Sequence, residues 1–302
     1  MALLQMDWQK QVVWKLVPGT PIGRALVSAT QRLEDAGNDT ASLDAQVILA
    51  YILGKDRGWL FAHYDQALTQ IEAESYTDMV ARRAAAEPVA YLVGHREFYG
   101  LELMVDKRVL IPRPETELLV DAVLDHVESR GDRNVRMVDV GTGSGAVAVA
   151  VAANCKSVQA YALDLSPAAL EVARENVRRH DSRGQVTLLQ GDLLAALPEP
   201  VDIIAANLPY ITSKEYPNLM ADVRDYEPRL ALEAGPEGLD LIARLLDQAP
   251  GHLFPGGVIF LEIGADQGQA VLSLAEQLLP QSKQISLRQD YHGYDRLVVV
   301  GL

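Results

Sequence analysis

Basic residues are in short supply: 27 Lys and Arg stand against 41 Asp and Glu in 302 residues, a formal charge of −14. Affinity for free nucleic acid comes mainly from neutralising phosphates, and so acidic a surface repels them. Free RNA or DNA is therefore not the expected partner. Cysteine is nearly absent. Cys155 stands alone, which excludes an internal disulfide and suits a reducing, cytoplasmic setting. No run of 18 apolar residues occurs, so neither a spanning helix nor a membrane partner is expected. The opening "MALLQMDWQKQVVW" lacks the basic start and sustained apolar run of a signal peptide. The six histidines are scattered without metal-ligand spacing, and no metal is expected. What is present, 49% hydrophobic and 23% charged residues, is the composition of a globular chain with a core. The length suffices for two domains at roughly 150 residues each.

From about Thr20 to Glu87 apolar residues recur at three and four, the period of amphipathic helices. "TPIGRALVSATQRLEDAG" opens on Thr-Pro and closes on Gly37, and "TQIEAESYTDMVARRAAAEP" stops before Pro88. Residues 1–88 are thus expected to form a small all-α domain. "REFYGLELMVDKRVLIP" alternates apolar and polar residues around a glycine and predicts a β-hairpin linker over 89–112. "RPETELLVDAVLDHV" follows as a helix with Pro114 and acidic residues in its first turn. Over 113–302, strands such as "VRMVDVG", "VQAYALD", "VTLLQGD", "VDIIAAN" and "GGVIFLEIG" alternate with helices, which predicts a doubly wound, seven-stranded α/β sheet. The last two strands, "QISLRQD" and "RLVVVGL", are too close for a helical crossover and predict an antiparallel terminal hairpin.

"VDVGTGSGAVAVAVA" is a strand, a glycine-rich turn and a helix. Gly141, Gly143 and Gly145 allow the backbone to turn tightly and to approach a ligand beside a helix N-terminus; the alternative is a plain tight turn. Asp164 ends the second strand, about 20 residues on, where an acidic side chain can hold ribose hydroxyls. It can also, with Ser166, cap the helix that begins near Pro167. The spacing Gly-x-Gly-x-Gly, together with the terminal antiparallel strands, resembles the class I S-adenosylmethionine-dependent methyltransferases. That resemblance implies S-adenosylmethionine as cofactor, held by Gly141, Thr142, Gly143, Ser144, Gly145 and Asp164. It places Asp192 and Leu193 of "GDLLAAL" beside the adenine, the other reading being a turn and helix start.

"AANLPYI" leaves the fourth strand at its carboxyl end, where open α/β sheets bind ligands. An amide-type nitrogen is a poor nucleophile because its lone pair is delocalised. The Asn207 side-chain oxygen and the Leu208 backbone carbonyl can each accept a hydrogen bond from such a nitrogen and aim its lone pair. Pro209 stiffens the turn and keeps Leu208 out of helical geometry, while Tyr210 offers a flat face for stacking.

Asn-Leu-Pro-Tyr resembles the Asn-Pro-Pro-Tyr signature of methyltransferases acting on planar nitrogens. With "EPVAYLVGHREFYGL" at 87–101, "LIPRPETE" at 110–117 and "EPRLALEAGPEGLDL" at 227–241, the chain resembles the PrmC/HemK family. That resemblance implies methylation of the glutamine side-chain amide in the Gly-Gly-Gln motif of peptide-chain release factors. It implies that the helical domain recognises the protein substrate and that Asn207, Leu208, Pro209 and Tyr210 hold the glutamine, with Asn207 also at the cofactor. Arg113 and Glu115 belong to a motif bordering the site; their other reading is helix capping and a surface ion pair. Leu208 stands where the family has proline, and a backbone carbonyl is what this position supplies. The competing reading is a ribosomal RNA or DNA adenine N6-methyltransferase, which shares the amide and the aromatic. The enzyme is expected to act as a cytoplasmic monomer.

Overall fold

The computed structural model describes residues 14–131, 134–181 and 183–302; the opening stretch read for targeting lies, up to residue 13, outside the described residues. The chain divides into two compact units, one ending at Val93 and the other spanning Gly94–Leu302. The division falls a few residues beyond the expected 88, and the hairpin is part of the second unit rather than a separate linker.

Among the described residues of the first unit there are five helices: α1 Ile22–Asp35, α2 Ala41–Leu53, α3 Arg57–Ala62, α4 Gln70–Ala84 and α5 Val89–Val93. Their ends carry local signals. Thr69 and Glu72 form a reciprocal capping box on α4, Asp56 caps α3 through the Trp59 N–H at 2.7 Å, and Gly54 ends α2 at φ +61°. Ile22, Leu26, Ala29 and Leu33 of α1 pack with Ala45, Ile48 and Leu49 of α2 and with Tyr76 and Val80 of α4. The buried Tyr76 hydroxyl donates to the Ala45 carbonyl at 2.9 Å, so the ring is buried without an orphaned polar atom.

The second unit opens with β1 His95–Phe98 and β2 Leu101–Met104. Their turn, Tyr99-Gly100, has positive φ at both residues, 51° and 74°, the backbone twist that suits a two-residue hairpin. Pro114 starts a single 3₁₀ turn, Pro114–Thr116, that runs into α6 Glu117–Ser129. Then follow β3 Val135–Val140, α7 Ala146–Asn154, β4 Val158–Asp164, α8 Pro167–His180, β5 Val186–Gln190, β6 Val201–Asn207, α9 Ala221–Tyr226, α10 Asp240–Gln248, β7 Leu253–Glu262, α11 Gly268–Leu278, β8 Gln284–Gln289 and β9 Asp295–Gly301.

These strands form one seven-stranded sheet in the order β5-β4-β3-β6-β7-β9-β8. Neighbours are parallel except that β9 runs antiparallel to both β7 and β8. The terminal hairpin is therefore present, and its second strand enters between β7 and β8. On one face Leu119, Val120 and Val123 of α6 and the small residues of α7 cover Met137, Ala160, Ile203 and Phe260. On the other, Ile242, Leu245 and Leu246 of α10 and Val271 and Ala275 of α11 cover Val138, Ile204, Ile259 and Val298. Strand order reverses between β3 and β6, so a crevice forms where their carboxyl ends part. Among the described residues, no helix is long and apolar enough to cross a membrane.

Candidate active site

A cleft of about 210 Å³ lies at this crevice, lined by residues that follow β3, β4, β5 and β6. The loop after β3 bends through three positive-φ glycines, Gly141, Gly143 and Gly145. A Cβ on Gly141 would lie 3.2 Å from the Leu208 side chain, and one on Gly145 would meet Ala173 at 3.4 Å. A side chain at either position is disfavoured by conformation, and at Gly141 by space as well. The Gly141 and Thr142 N–H groups donate to the Leu163 carbonyl at 2.9 and 2.8 Å, and the Gly143 N–H donates to Asp164 Oδ2 at 2.8 Å.

Asp164 also takes the Ser166 N–H on Oδ1 at 2.8 Å, while the Ser166 hydroxyl caps α8 through the Ala169 N–H. Burial raises the Asp164 pKa against the pull of these backbone donors. The capping arrangement is present, with Ser166 on the helix, and Asp164 braces the glycine loop while lining the cleft. Beneath the loop, fully buried Asp139 accepts from the Thr142 hydroxyl at 2.6 Å and from the Ala148 N–H at 3.2 Å. Burial lifts its carboxyl to about 6. Asn176, with no exposed surface, exchanges hydrogen bonds with both backbone groups of Met104 and donates to the Ser144 carbonyl at 2.8 Å. Thr142, Ser144 and Gly145 therefore shape the loop from below and do not line the cleft.

After β5, Leu193 is buried at φ +51°, a conformation that costs a branched side chain about 1 kcal/mol or more. Its neighbour Asp192 pairs with Arg244 at 2.6 Å. Leu193, Asp192 and Arg244 line the cleft together with Leu165, Leu230 and Leu241.

The Asn207-Leu208-Pro209-Tyr210 turn divides two spaces. Asn207, Leu208 and Pro209 line the cleft just described, whereas Tyr210 lines a second groove with Thr212, Glu237, Asp266 and Gln267. Asn207 Nδ2 donates to Thr116 Oγ1 at 3.1 Å. Leu208 is buried at 4% exposure, so its side chain belongs to the core in addition to whatever its carbonyl does. Gln267 Nε2 donates to the Tyr210 carbonyl at 3.0 Å. The chain beyond the turn pairs with 232–235 through Ile211 N–H to Leu232 O, Ala234 N–H to Ile211 O and Ser213 N–H to Gly235 O, each at 2.9 Å. The segment 227–241 is thereby the scaffold of the turn.

Arg113 and Glu115 line neither space. Arg113 instead donates to Glu227 at 2.7 Å, whose side chain is 2% exposed and also accepts the Ile111 N–H at 3.2 Å. Sequence reasoning missed Thr116, Glu262, Arg244 and Asn176. Thr116 lies inside the quoted "LIPRPETE", and Glu262 is an acid at the end of an apolar strand, a signal available in "VIFLEIG".

The residues present fit a nucleoside-bearing sulfonium cofactor. A carboxylate has about four lone-pair sites, so Asp164, though braced by backbone donors, retains room to accept a hydroxyl. The glycines leave the loop without side chains, and Leu193, Leu165 and Leu241 give an apolar lining suited to a base.

Fold and site define a methyltransferase. A family model described as a methyltransferase domain matches residues 137–226, and one described as the PrmC N-terminal domain matches residues 24–94. A solved methyltransferase from Pyrococcus furiosus shares the fold at a TM-score of 0.50 and 16% identity, covering 74% of this chain and 98% of that one. The release factor glutamine methyltransferase of Moorella thermoacetica is 44% identical over 282 residues, 90% of this chain and 95% of the relative. That of Rhodopirellula baltica is 39% identical over 279 residues, 91% of this chain and 94% of the relative. The chain belongs to the release factor glutamine methyltransferase family.

Proposed function

We propose that this enzyme transfers a methyl group from S-adenosylmethionine to the side-chain amide nitrogen of the glutamine in the Gly-Gly-Gln motif of a peptide-chain release factor. The carrying observation is the Asn207–Tyr210 turn standing as a wall between two spaces, one fitted to a cofactor and the other open to an acceptor. The cofactor supplies an electrophilic methyl on sulfur. Gly141, Gly143, Asp164, Asp192, Leu193 and Asn207 hold it, with Thr142, Ser144 and Gly145 setting the shape of the loop.

Asn207 Oδ1 and the Leu208 carbonyl each accept an N–H from the glutamine amide, which turns its nitrogen lone pair toward the methyl. Pro209 fixes that carbonyl, and Tyr210 stacks on the planar amide. Bound there, the cofactor would give up its methyl from sulfur to the amide nitrogen, which, then strongly acidic, would lose a proton to solvent. No strong base is required, so orientation and fixed dipoles carry the rate. Arg113 holds the border of the site through Glu227, and Glu115 lies beside it. The helical unit recognises the release factor, and the enzyme works as a cytoplasmic monomer.

Intact-mass and tandem mass spectrometry of a release factor incubated with the enzyme and S-adenosylmethionine tests this reading. One added methyl on that glutamine is expected. Transfer to deproteinised ribosomal RNA, with none to a release factor, would overturn it.

A further inference from the structure

The two ends of the Asn207 carboxamide differ chemically, and the proposed reaction needs the oxygen, not the nitrogen, toward the acceptor. Nothing within Asn207 fixes that choice. Its Nδ2 donates to the Thr116 hydroxyl at 3.1 Å, and Thr116, only 5% exposed, lies beside Glu262 and favours its charged form. Glu262 sits opposite Asn207 in the parallel pairing of β6 with β7 and is 3% exposed. Its Oε2 has no hydrogen-bond partner among the described residues.

We propose that Thr116 and Glu262 are positioning residues for methyl transfer: ionised Glu262 accepts a hydrogen bond from the Thr116 hydroxyl, which leaves the Thr116 oxygen to accept from Asn207 Nδ2 and so aims Oδ1 at the acceptor. This rests on the methyl-transfer reading above. A hydroxyl carries one proton and two lone pairs. Once Glu262 is protonated it becomes a donor to Thr116, the Thr116 proton is released toward Asn207, and the carboxamide is free to reverse. The charged and titratable groups around Glu262 come from three directions: Arg113 and Glu115 ahead of α6, Tyr210 in the turn and Arg296 on β9. Arg296 is itself engaged by Asp290 at 3.0 Å. Burial lifts the Glu262 carboxyl to about 7, against the Thr116 hydrogen bond and the Arg296 charge, so the exchange falls near neutral pH.

Single-turnover transfer at saturating cofactor, measured by intact mass across about pH 6–8, tests the relay. Thr116→Val should slow transfer about 10–100-fold while cofactor affinity changes by less than about 3-fold, and Thr116→Ser should recover most of the rate. The wild-type rate should fall as pH drops through about 7, and Glu262→Gln should lack that acid limb. In the free protein, the Asn207 side-chain amide ¹⁵N resonance should shift over the same range in wild type and not in Glu262→Gln. A wild-type rate in Thr116→Val, an acid limb surviving in Glu262→Gln, or an amide resonance blind to pH would each overturn the relay. If the wild type itself leaves a release factor unmethylated, the parent reading fails and the amide resonance alone decides the coupling. Should Thr116→Val melt early, the Ser and Gln variants decide.

Discussion

The loop after β3 and the turn after β6 face one cleft but are held in different ways. The glycine loop is a backbone structure: its N–H groups go to the Leu163 carbonyl and to Asp164 at 2.8–2.9 Å, and its glycines sit where a Cβ would be strained or crowded. The Asn207 turn is held by side chains from distant segments: Thr116 lies 91 residues earlier, Glu262 lies one strand over, and Gln267 grips the Tyr210 carbonyl. The glycine cradle takes its shape from its own backbone, with the Asp139, Asp164 and Asn176 side chains bracing it. A side-chain network couples remote parts of the sheet and carries buried protons with it, which makes it sensitive to single polar deletions and to pH.

The largest expected separation of the two regions comes from Asn207→Ala. It should lower single-turnover transfer by about 10²–10³, and a fully active variant would remove the turn from the chemistry. Asp164→Ala attacks the other region. Losing a charged acceptor is worth about 1.5–3 kcal/mol, so S-adenosylmethionine affinity should fall about 10–150-fold by calorimetry, with transfer at saturation much less affected. Unchanged affinity in a folded Asp164→Ala would sever Asp164 from the cofactor.

Leu208→Ala should slow transfer far less than Asn207→Ala, because the backbone carbonyl survives. It should nevertheless cost about 2–5 kcal/mol of stability in denaturant titration, since Leu208 is buried against the glycine loop. Equal losses of transfer at 207 and 208 would end this division of labour. The smallest effect is on stability against pH. Glu262 has a folded value of about 7 against an ordinary 4.5, so its contribution is complete below the unfolded value and is lost as pH rises through about 7. Thermal melts should show Glu262→Gln losing less stability than wild type between about pH 5 and 8.

What could be read in the chain beforehand follows the same division. The glycine loop, Asp164 at a strand end, the Tyr99-Gly100 turn and the alternation of strands and helices are local patterns, and the fold carries them. Helices α3 and α5, six and five residues long, are too short to display a helical period. Arg113 was readable as a charged residue near the site, but its buried partner Glu227 is 114 positions away, a distance at which periodicity carries no information. Leu208 was legible for its carbonyl; its side-chain burial depends on Gly141 across the sheet, which no short motif encodes. Thr116 and Glu262 escaped for the same reason, since their significance lies in the contact between them.

The place of β9 has a consequence for the order in which the molecule is made. A chain emerging from the ribosome at about 5–20 residues per second can assemble β3 to β7 as they appear, because each adds beside a strand already present. Strand β8 cannot join them when it emerges, since its only neighbour in the sheet is β9. Until residues 295–301 arrive, β7 keeps a bare edge of unpaired backbone groups, a template for joining another chain. Arg296 arrives with that strand, and so does the pairing of Leu297 with Glu262. The pairing of β9 with β7 thus completes the sheet and the surroundings of Glu262 together.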